Sequence, residues 1–185
     1  MPEPLLGLVL AAGAGTRMGR PKALCVTPAG VPWLWRAHDA LLGGGCARVR
    51  VVLGAAADEA RALVPPGAEV VVASEWAAGL GASLAAGLAG SPGDVAVVVT
   101  LVDLPDLDDR AVARVTAARV GPRDLRRAVF GGAPGHPVLI GRDHWAPLRD
   151  HLHGDAGARG YLLAHPPVDV DCTDLPGGRD RDTPD

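Results

Sequence analysis

The sequence of 185 residues contains no asparagine and no glutamine, and Lys22 is the only lysine among its 18 lysine and arginine residues. A side-chain amide presents a hydrogen-bond donor and an acceptor together. Because this chain has none, no ligand can be recognised through a side-chain amide, and recognition has to use other side chains or backbone groups. The single lysine also draws attention to its own segment, since arginine cannot replace a compact ammonium group at every site.

Cysteine is scarce as well, and no apolar segment is long. Cys25, Cys46 and Cys172 are widely spaced and form no CxxC pair, which argues against a disulfide framework and favours free structural thiols in a reducing compartment. The uncharged stretch 4–16 is too short and too rich in glycine to span a bilayer, and residues 1–4 lack the basic residues of a signal peptide. We expect a soluble, cytoplasmic protein that does not bind membranes.

Composition limits the class of protein. The chain is 48% hydrophobic and 21% charged, with a formal net charge of −3. This balance provides enough apolar material for a buried core, and it excludes a disordered chain, a collagen and a coiled coil. The slight negative charge argues against a nucleic-acid-binding protein that depends on phosphate neutralisation. The length favours a single globular domain over residues 1–185.

Apolar runs rich in β-branched residues alternate with segments of helical period in the first half of the chain. The predicted helices there are 32–42, 55–64 and 81–89. The early strands are almost continuous apolar runs, which is typical of a parallel sheet covered by helices on both faces. We therefore predict a three-layer α/β fold. The predicted strands are 5–10, 49–53, 70–73, 95–102, 128–130, 138–140 and 168–170.

The second half of the chain is less regular. Helices are predicted at 108–119, 143–152 and 156–164. The short spacing around the glycine-rich turn at 131–137 favours local antiparallel pairing within an otherwise mostly parallel sheet. The tail, 176–185, is polar, charged and rich in glycine and proline, and is typical of a frayed terminus.

A glycine-rich loop follows the first predicted strand and carries the lysine. Residues 11–22 read AAGAGTRMGRPK. Small residues let a ligand approach the backbone, and successive N–H groups at the carboxyl end of a central strand form a nest for an anion. Arg17, Arg20 and Lys22 add positive charge to the same loop. The pattern predicts a phosphate site, with a tight turn bearing surface arginines as the alternative.

The glycine spacing matches neither of two common nucleotide motifs. GxxxxGK[ST] does not occur, and Gly13, Gly15 and Gly19 miss the GxGxxG spacing of dinucleotide oxidoreductases. Residues 10–22, LAAGAGTRMGRPK, instead resemble the signature LAAGxGxRMGxPK of the MobA/MocA-like nucleotidyltransferases, which transfer a nucleoside monophosphate from an NTP. Six further segments resemble motifs of that family and follow in its order: 30–34 (GVPWL), 76–84 (WAAGLGASL), 102–105 (VDLP), 135–137 (GHP), 154–159 (GDAGAR) and 180–185 (DRDTPD).

The resemblance implies one Rossmann-like NTP transferase domain over residues 1–185 and a Mg²⁺-dependent transfer in which the glycine loop cradles the NTP phosphates. It implies catalytic roles for Arg17, Lys22 and Asp103. Asp103 directly follows the strand 95–102, so it should lie at the same sheet edge as the loop. Asp103 and Asp182 are the implied metal ligands, which suits a hard cation. The implied nucleotide-binding residues are Leu10, Ala11, Ala12, Gly13, Gly15, Arg17, Lys22, Gly79, Ser83 and Asp103.

The resemblance also bears on the base and on the acceptor. Ala12 and the GHP segment are similar to the cytidylyltransferase branch, so CTP is the expected nucleotide and GTP the alternative. That branch transfers CMP to molybdopterin, whose terminal phosphate attacks the α-phosphorus of CTP. His136, Asp155 and Arg159 are expected to face this acceptor, because an arginine suits an anionic phosphate. A molybdoenzyme or its chaperone is the expected recipient of the product.

The chain departs from the family pattern at several positions. Ser74 stands where asparagine is usual, Val102 and Leu104 replace glycine and glutamine around the metal-binding aspartate, and Arg181 replaces an apolar residue in the last motif. These changes leave two other functions open. One is nucleotidyl transfer to another small phosphate acceptor, and the other is a non-catalytic nucleotide-binding accessory protein.

Structural alternatives exist for individual site residues. Asp103 is also compatible with a purely structural role in an Asx turn. Ser83 is also compatible with a role as the N-cap residue of a helix. His144, His151 and His153 have the ligand chemistry of a zinc site together with Asp155. Histidines on a solvated helix end are the commoner explanation.

Overall fold

The computed structural model of the protein describes residues 4–90 and 93–180. Seven strands form one mixed sheet: β1 (Leu5–Ala11), β2 (Arg48–Leu53), β3 (Glu69–Val72), β4 (Ala96–Leu101), β5 (Leu125–Phe130), β6 (Ala133–Gly141) and β7 (Val168–Asp171). Their spatial order is β3-β2-β1-β4-β6-β5-β7. Each of the seven predicted strands is present, with ends that shift by at most five residues.

One strand runs against the others. β6 pairs in antiparallel fashion with both β4 and β5, whereas the remaining neighbours pair in parallel. The β5–β6 hairpin turns at Gly131 and Gly132, whose φ angles are 60° and 78°. Two consecutive positive φ angles are the requirement of the type I′ hairpin turn, which glycine meets without strain. The predicted mostly parallel sheet with a local antiparallel strand is therefore confirmed.

The helices of the described residues are α1 (Trp33–Gly43), α2 (Ala57–Ala60), α3 (Leu80–Leu88), α4 (Asp109–Thr116), α5 (Trp145–Arg149) and α6 (Arg159–Ala164). Four of these six helices are shorter than the sequence pattern indicates, whereas α1 and α3 have the predicted length and are shifted by one residue. The prediction of one helix over 55–64 is wrong in length, because α2 passes into a 3₁₀ turn and the extended Val64 precedes a proline. The predicted start of the last helix at 156 is also wrong, because Gly157 has a φ of +53° and α6 begins only after it.

The helices form a layer on each face of the sheet. Along β1, Val9 and Ala11 belong to the core that includes α1 and α4, whereas Leu6, Leu8 and Leu10 belong to the core that includes α3, α5 and α6. Helix and strand approach closely at Gly87 of α3, where a Cβ would lie 2.8 Å from the side chain of Leu8. The predicted three-layer α/β fold is confirmed.

The three cysteines are buried and free, as predicted. Burial raises the pKa of the Cys46 thiol to about 12, so this thiol is protonated at neutral pH and is a poor nucleophile. Within residues 4–90 and 93–180, no helix has the length and apolar composition needed to cross a membrane.

Candidate functional site

The glycine-rich loop leaves β1 at the carboxyl edge of the sheet and folds back on itself. The N–H of Met18 donates to the carbonyl of Gly15 at 3.0 Å. Gly15 has a φ of +63°, and a Cβ there would overlap the carbonyl oxygen of Arg20. Gly13 differs, because a Cβ there would meet no atom within 4 Å. The fold of the loop thus requires glycine at residue 15, whereas glycine at residue 13 leaves open space beside the backbone.

Lys22 and Asp103 meet where the loop approaches the end of β4. β1 and β4 are adjacent parallel strands, so the segments that follow them emerge side by side. The Nζ of Lys22 donates to Oδ2 of Asp103 at 2.8 Å, and the two side chains are only 16% and 17% exposed. Two residues that are 81 positions apart in the sequence therefore form one partly buried ion pair at this edge.

The second carboxylate oxygen of Asp103 is left open. Its Oδ1 atom is buried and has no hydrogen-bond partner among the residues that the structure describes. A buried carboxylate oxygen without a partner costs free energy unless a cation or a donor binds it. This atom is therefore a suitable ligand for a divalent metal or a substrate group.

A cavity of about 490 Å³, which we call the loop cavity, lies over the glycine loop and the lysine–aspartate pair. Arg20 of the same loop is exposed and does not line it. All of the residues predicted to bind the nucleotide line this cavity: Leu10, Ala11, Ala12, Gly13, Gly15, Arg17, Lys22, Gly79, Ser83 and Asp103. The structure thus brings them together around one space, and their individual roles stay predictions.

The start of α3 also lines the loop cavity. Gly79 is the N-cap residue of α3, so the alternative that Ser83 caps this helix is wrong. Ser83 is buried in the first turn, and its N–H donates to the Gly79 carbonyl at 3.4 Å. Gly79 has a φ of +109°, and a Cβ there would lie 2.5 Å from the carbonyl carbon of Gly154 and 2.7 Å from Oδ1 of Asp155. This close approach holds Asp155 at the edge of the loop cavity.

A second cavity of about 390 Å³, the aliphatic cavity, adjoins the first, and Leu10, Leu80 and Leu101 line both. Two of the residues predicted to face the acceptor, His136 and Arg159, line the aliphatic cavity. Asp155 does not, and lines the loop cavity instead. The other residues of the aliphatic cavity are Leu84, Val99, Arg127, Pro134, Gly135, Val138, Ile140, Ala156, Gly157, Ala158, Leu162 and Leu163.

His136 is the neutral polar group of the aliphatic cavity. Desolvation lowers the pKa of its imidazole to about 4, and the nearby carboxylate of Asp103 opposes this shift. The side chain is half-buried near the start of β6. At neutral pH it is therefore uncharged, and it offers one donor and one acceptor to a bound molecule.

Two lining residues had no role in the sequence analysis. Trp76 reaches the loop cavity because Gly54 has no side chain, and a Cβ at Gly54 would lie 2.7 Å from the Cβ of Trp76. Asp180 lines the same cavity, whereas Asp182, the predicted second metal ligand, lies outside the described residues. Both residues belong to motifs that the family resemblance covers, so the signal for them was present.

The described residues contain no group of three or more histidine, cysteine, aspartate or glutamate side chains that could hold a metal ion. In the histidine set considered for zinc, His144 is occupied, because its Nδ1 pairs with the hydroxyl of Tyr161 at 2.8 Å and its Nε2 with the carbonyl of Arg123 at 3.0 Å. Mg²⁺ needs no such cage, since it keeps several waters and takes one or two carboxylates together with substrate phosphates. Asp103 and Asp180 in the loop cavity fit that donor set.

The fold, the glycine loop and the buried lysine–aspartate pair at its edge define a nucleotidyltransferase. A family model described as the MobA-like NTP transferase domain matches residues 7–169, and the chain belongs to this family. The resemblance found in the sequence and the predicted nucleotidyltransferase fold are thereby confirmed.

Two curated relatives carry different names. Nicotine blue oxidoreductase of Paenarthrobacter nicotinovorans is 38% identical over an alignment of 200 positions, gaps included, which covers 96% of this chain and 91% of that protein. The probable molybdenum cofactor guanylyltransferase of Rhodopirellula baltica is 37% identical over 127 residues, which cover 67% of this chain and 60% of that protein.

A similar solved structure is that of Rv0371c from Mycobacterium tuberculosis. It has a TM-score of 0.81 and 28% identity, and the match covers 99% of this chain and 94% of the mycobacterial chain. The same mycobacterial protein has also been solved in complex with manganese.

Proposed function

We propose that this chain transfers CMP from CTP to molybdopterin in the presence of Mg²⁺, with release of pyrophosphate, and that residues 1–185 act as one domain. The observation that carries the proposal is the Lys22–Asp103 ion pair, at 2.8 Å, on the wall of a cavity lined by the glycine loop. It places a lysine ammonium, a carboxylate and backbone N–H groups around one space, which is what a polyphosphate with a metal needs.

The glycine loop supplies the phosphate-binding groups. Gly13 leaves space for a phosphate beside its backbone, and Arg17 and Lys22 line the same cavity. Their positive charges stabilise the pyrophosphate as the bond from the α-phosphorus to its bridging oxygen breaks. An acceptor phosphate oxygen forms the new bond to the α-phosphorus, so no covalent intermediate with the protein is required.

Asp103 and Asp180 are the described residues that would hold the metal, and Asp182 is the further ligand implied by the family resemblance. The open Oδ1 atom of Asp103 supports this assignment. A bound Mg²⁺ would offset the negative charge of the triphosphate as the transfer proceeds. The manganese complex of Rv0371c, a relative at 28% identity, also supports a divalent metal.

The base is proposed to be cytosine, with guanine as the alternative. Ala12 is buried and lines the loop cavity, and its Cβ reduces the space for a purine. The alternative is supported by the relative from Rhodopirellula baltica, whose name specifies guanylyl transfer.

The acceptor is proposed to enter from the aliphatic cavity. Arg159 offers a guanidinium to the anionic phosphate of the acceptor. His136 is neutral and offers hydrogen bonds to the acceptor without adding charge to the cavity. Because the two cavities share the wall at Leu10, Leu80 and Leu101, an acceptor held there is next to the nucleotide. A molybdoenzyme or its chaperone would then receive the product.

A second candidate function is oxidoreductase activity toward nicotine blue or a similar compound. It is favoured by the 38% identity to nicotine blue oxidoreductase over almost the whole chain and by the leucine, valine and isoleucine walls of the aliphatic cavity. The glycine spacing of the loop, which differs from GxGxxG, does not favour a dinucleotide cofactor there. Consumption of NADH or NADPH in the presence of nicotine blue would test this candidate.

The deciding experiment measures Mg²⁺-dependent pyrophosphate release with CTP, GTP, UTP and ATP, each with and without molybdopterin. Release that requires CTP and molybdopterin together supports the proposal, and a preference for GTP supports guanylyl transfer. If the protein binds CTP but releases no pyrophosphate with any nucleotide, transfer to molybdopterin is wrong, and transfer to another small phosphate acceptor or the accessory-protein alternative replaces it. If it binds no nucleotide, the proposed function is wrong.

A further inference from the structure

We infer that Asp155 selects a nucleobase that bears an amino group, and that it thereby excludes uracil. The inference rests on the proposed function, because it assumes that a nucleotide occupies the loop cavity. The family resemblance implies that Asp155 faces the acceptor, whereas its place in the loop cavity favours a position on the nucleotide side.

Asp155 and Asp103 are held by different parts of the chain. It is held against Gly79, the N-cap of α3, whereas Asp103 follows β4 and pairs with Lys22. No three acidic side chains of the described chain come together to hold one ion, so Asp103, Asp155 and Asp180 do not form a single metal site. With the phosphates at the glycine loop, the nucleoside would lie against other lining residues of the cavity, among them Gly79 and Ser83 at the start of α3.

Few side chains near the start of α3 can form hydrogen bonds that distinguish one base from another. The chain has no asparagine or glutamine, and the described residues that line the cavity there include Trp76, Ser83 and Asp155. An indole N–H is only a donor, and the Ser83 side chain is largely buried. Asp155 is exposed, and its carboxylate makes no hydrogen bond or ion pair with any residue that the structure describes.

A carboxylate distinguishes bases by what they donate. Ionised aspartate only accepts hydrogen bonds, and the N4 amino group of cytosine is a donor that it can bind. Uracil presents the O4 acceptor at the same position, so the two groups repel each other. Because a hydrogen bond to a charged group contributes more than a neutral one, the preference for CTP over UTP is expected to be about tenfold or more.

The test compares CTP with UTP, both as equilibrium dissociation constants and as kcat/KM for pyrophosphate release. Asp155→Asn replaces the carboxylate by an amide, which can accept from N4 of cytosine or donate to O4 of uracil after rotation. We expect this variant to reduce the CTP-to-UTP preference to about twofold or less, chiefly through better use of UTP. Asp155→Ala should lose affinity for CTP and gain some affinity for UTP, because the repulsion is relieved, but it should gain less than Asp155→Asn, since alanine cannot donate to O4.

Asp150→Asn is the matched control, because Asp150 is an exposed aspartate that follows α5 and lines neither cavity. It should keep the wild-type preference. dCTP serves as a second ligand, since a contact from Asp155 to the ribose 2′-hydroxyl would make the CTP-to-dCTP ratio, rather than the CTP-to-UTP ratio, change in the variants.

Three results overturn the inference while leaving the proposed function intact. They are a wild-type protein that uses CTP and UTP equally, an Asp155→Asn variant with an unchanged CTP-to-UTP preference, and a variant in which only the CTP-to-dCTP ratio moves. A wild-type protein that binds none of these nucleotides contradicts the proposed function itself, and removes the inference with it.

Discussion

The loop cavity and the aliphatic cavity share a wall, yet they present opposite chemistry. The loop cavity is formed largely by residues outside the helices and strands, such as Gly13, Arg17 and Asp103. The aliphatic cavity is formed largely by residues within them, such as Val99 of β4 and Val138 of β6. Backbone groups inside a sheet or helix are already hydrogen-bonded to each other, whereas those of a loop are available to a ligand.

The difference in chemistry suits the two cavities to different parts of the substrates. The loop cavity offers backbone donors and charged side chains, which suit phosphates and a metal. The aliphatic cavity offers shape and apolar surface, with His136 and the guanidinium groups of Arg127 and Arg159 as its polar groups. Arg127 is itself paired with Asp169 at 2.7 Å. We therefore expect substitutions in the two cavities to affect different kinetic constants.

The largest effect is expected at the lysine–aspartate pair. Lys22→Ala and Asp103→Asn should each lower kcat/KM for pyrophosphate release by about a hundredfold or more, because charge stabilisation of the transferring phosphoryl group is lost. Thermal melting should show that both variants fold, since the residues lie outside the sheet. The double variant should be little worse than either single variant, because the two residues act as one unit.

Arg20→Ala is the control for these variants. Arg20 belongs to the same loop but does not line the cavity, so its loss should change turnover less than about threefold. Wild-type activity in Lys22→Ala would remove the ion pair from the mechanism.

The two loop glycines should separate folding from binding. Gly15→Ala should lower the free energy of unfolding by about 2 kcal/mol or more, because it forces a positive φ on alanine and a clash with the Arg20 carbonyl. Gly13→Ala should melt like the wild type but bind CTP about tenfold more weakly, since its methyl group would occupy open space in the cavity. Chemical denaturation and calorimetric titration measure the two effects, and equal CTP affinity in Gly13→Ala would contradict a phosphate at this position.

A smaller and more selective effect is expected in the aliphatic cavity. Arg159→Ala should raise KM for the acceptor about tenfold, because a charge-assisted hydrogen bond to an anion is lost, and should leave CTP affinity unchanged. Arg149→Ala, at the end of α5 and outside both cavities, should change neither constant. If CTP affinity falls instead, the assignment of the two cavities to two substrates is wrong.

The smallest effect concerns pH. Burial lowers the pKa of His136 to about 4, whereas a histidine in the unfolded chain titrates near its ordinary value of about 6.5. Below that value the unfolded state binds the extra proton, so this stability contribution is complete at pH 7 and is lost as the pH falls toward 4. Between pH 7 and pH 5 the free energy of unfolding of the wild type, measured with urea, should fall by about 1–2 kcal/mol more than that of His136→Leu. If the two proteins instead show parallel dependences of this free energy on pH, the imidazole of His136 is not desolvated.

The sequence predicts the site best where chemistry and chain order coincide. The glycine loop follows a buried strand, and Asp103 follows another, so both had to lie at one sheet edge if the strands were parallel neighbours. The helices are predicted less well, because their ends depend on local details. The proline after Val64 and the positive φ of Gly157 each shorten a helix that the apolar pattern would extend.

The sequence by itself determined the sheet, the loop and the residue types available for chemistry, because hydrophobic period, glycine content and composition are local properties. Only the tertiary structure decided which cavity each side chain serves. Asp155 lies beside Gly79, and Trp76 beside Gly54, because glycines allow segments distant in the sequence to approach within contact. Such contacts depend on how the layers pack, and no spacing along the chain records them.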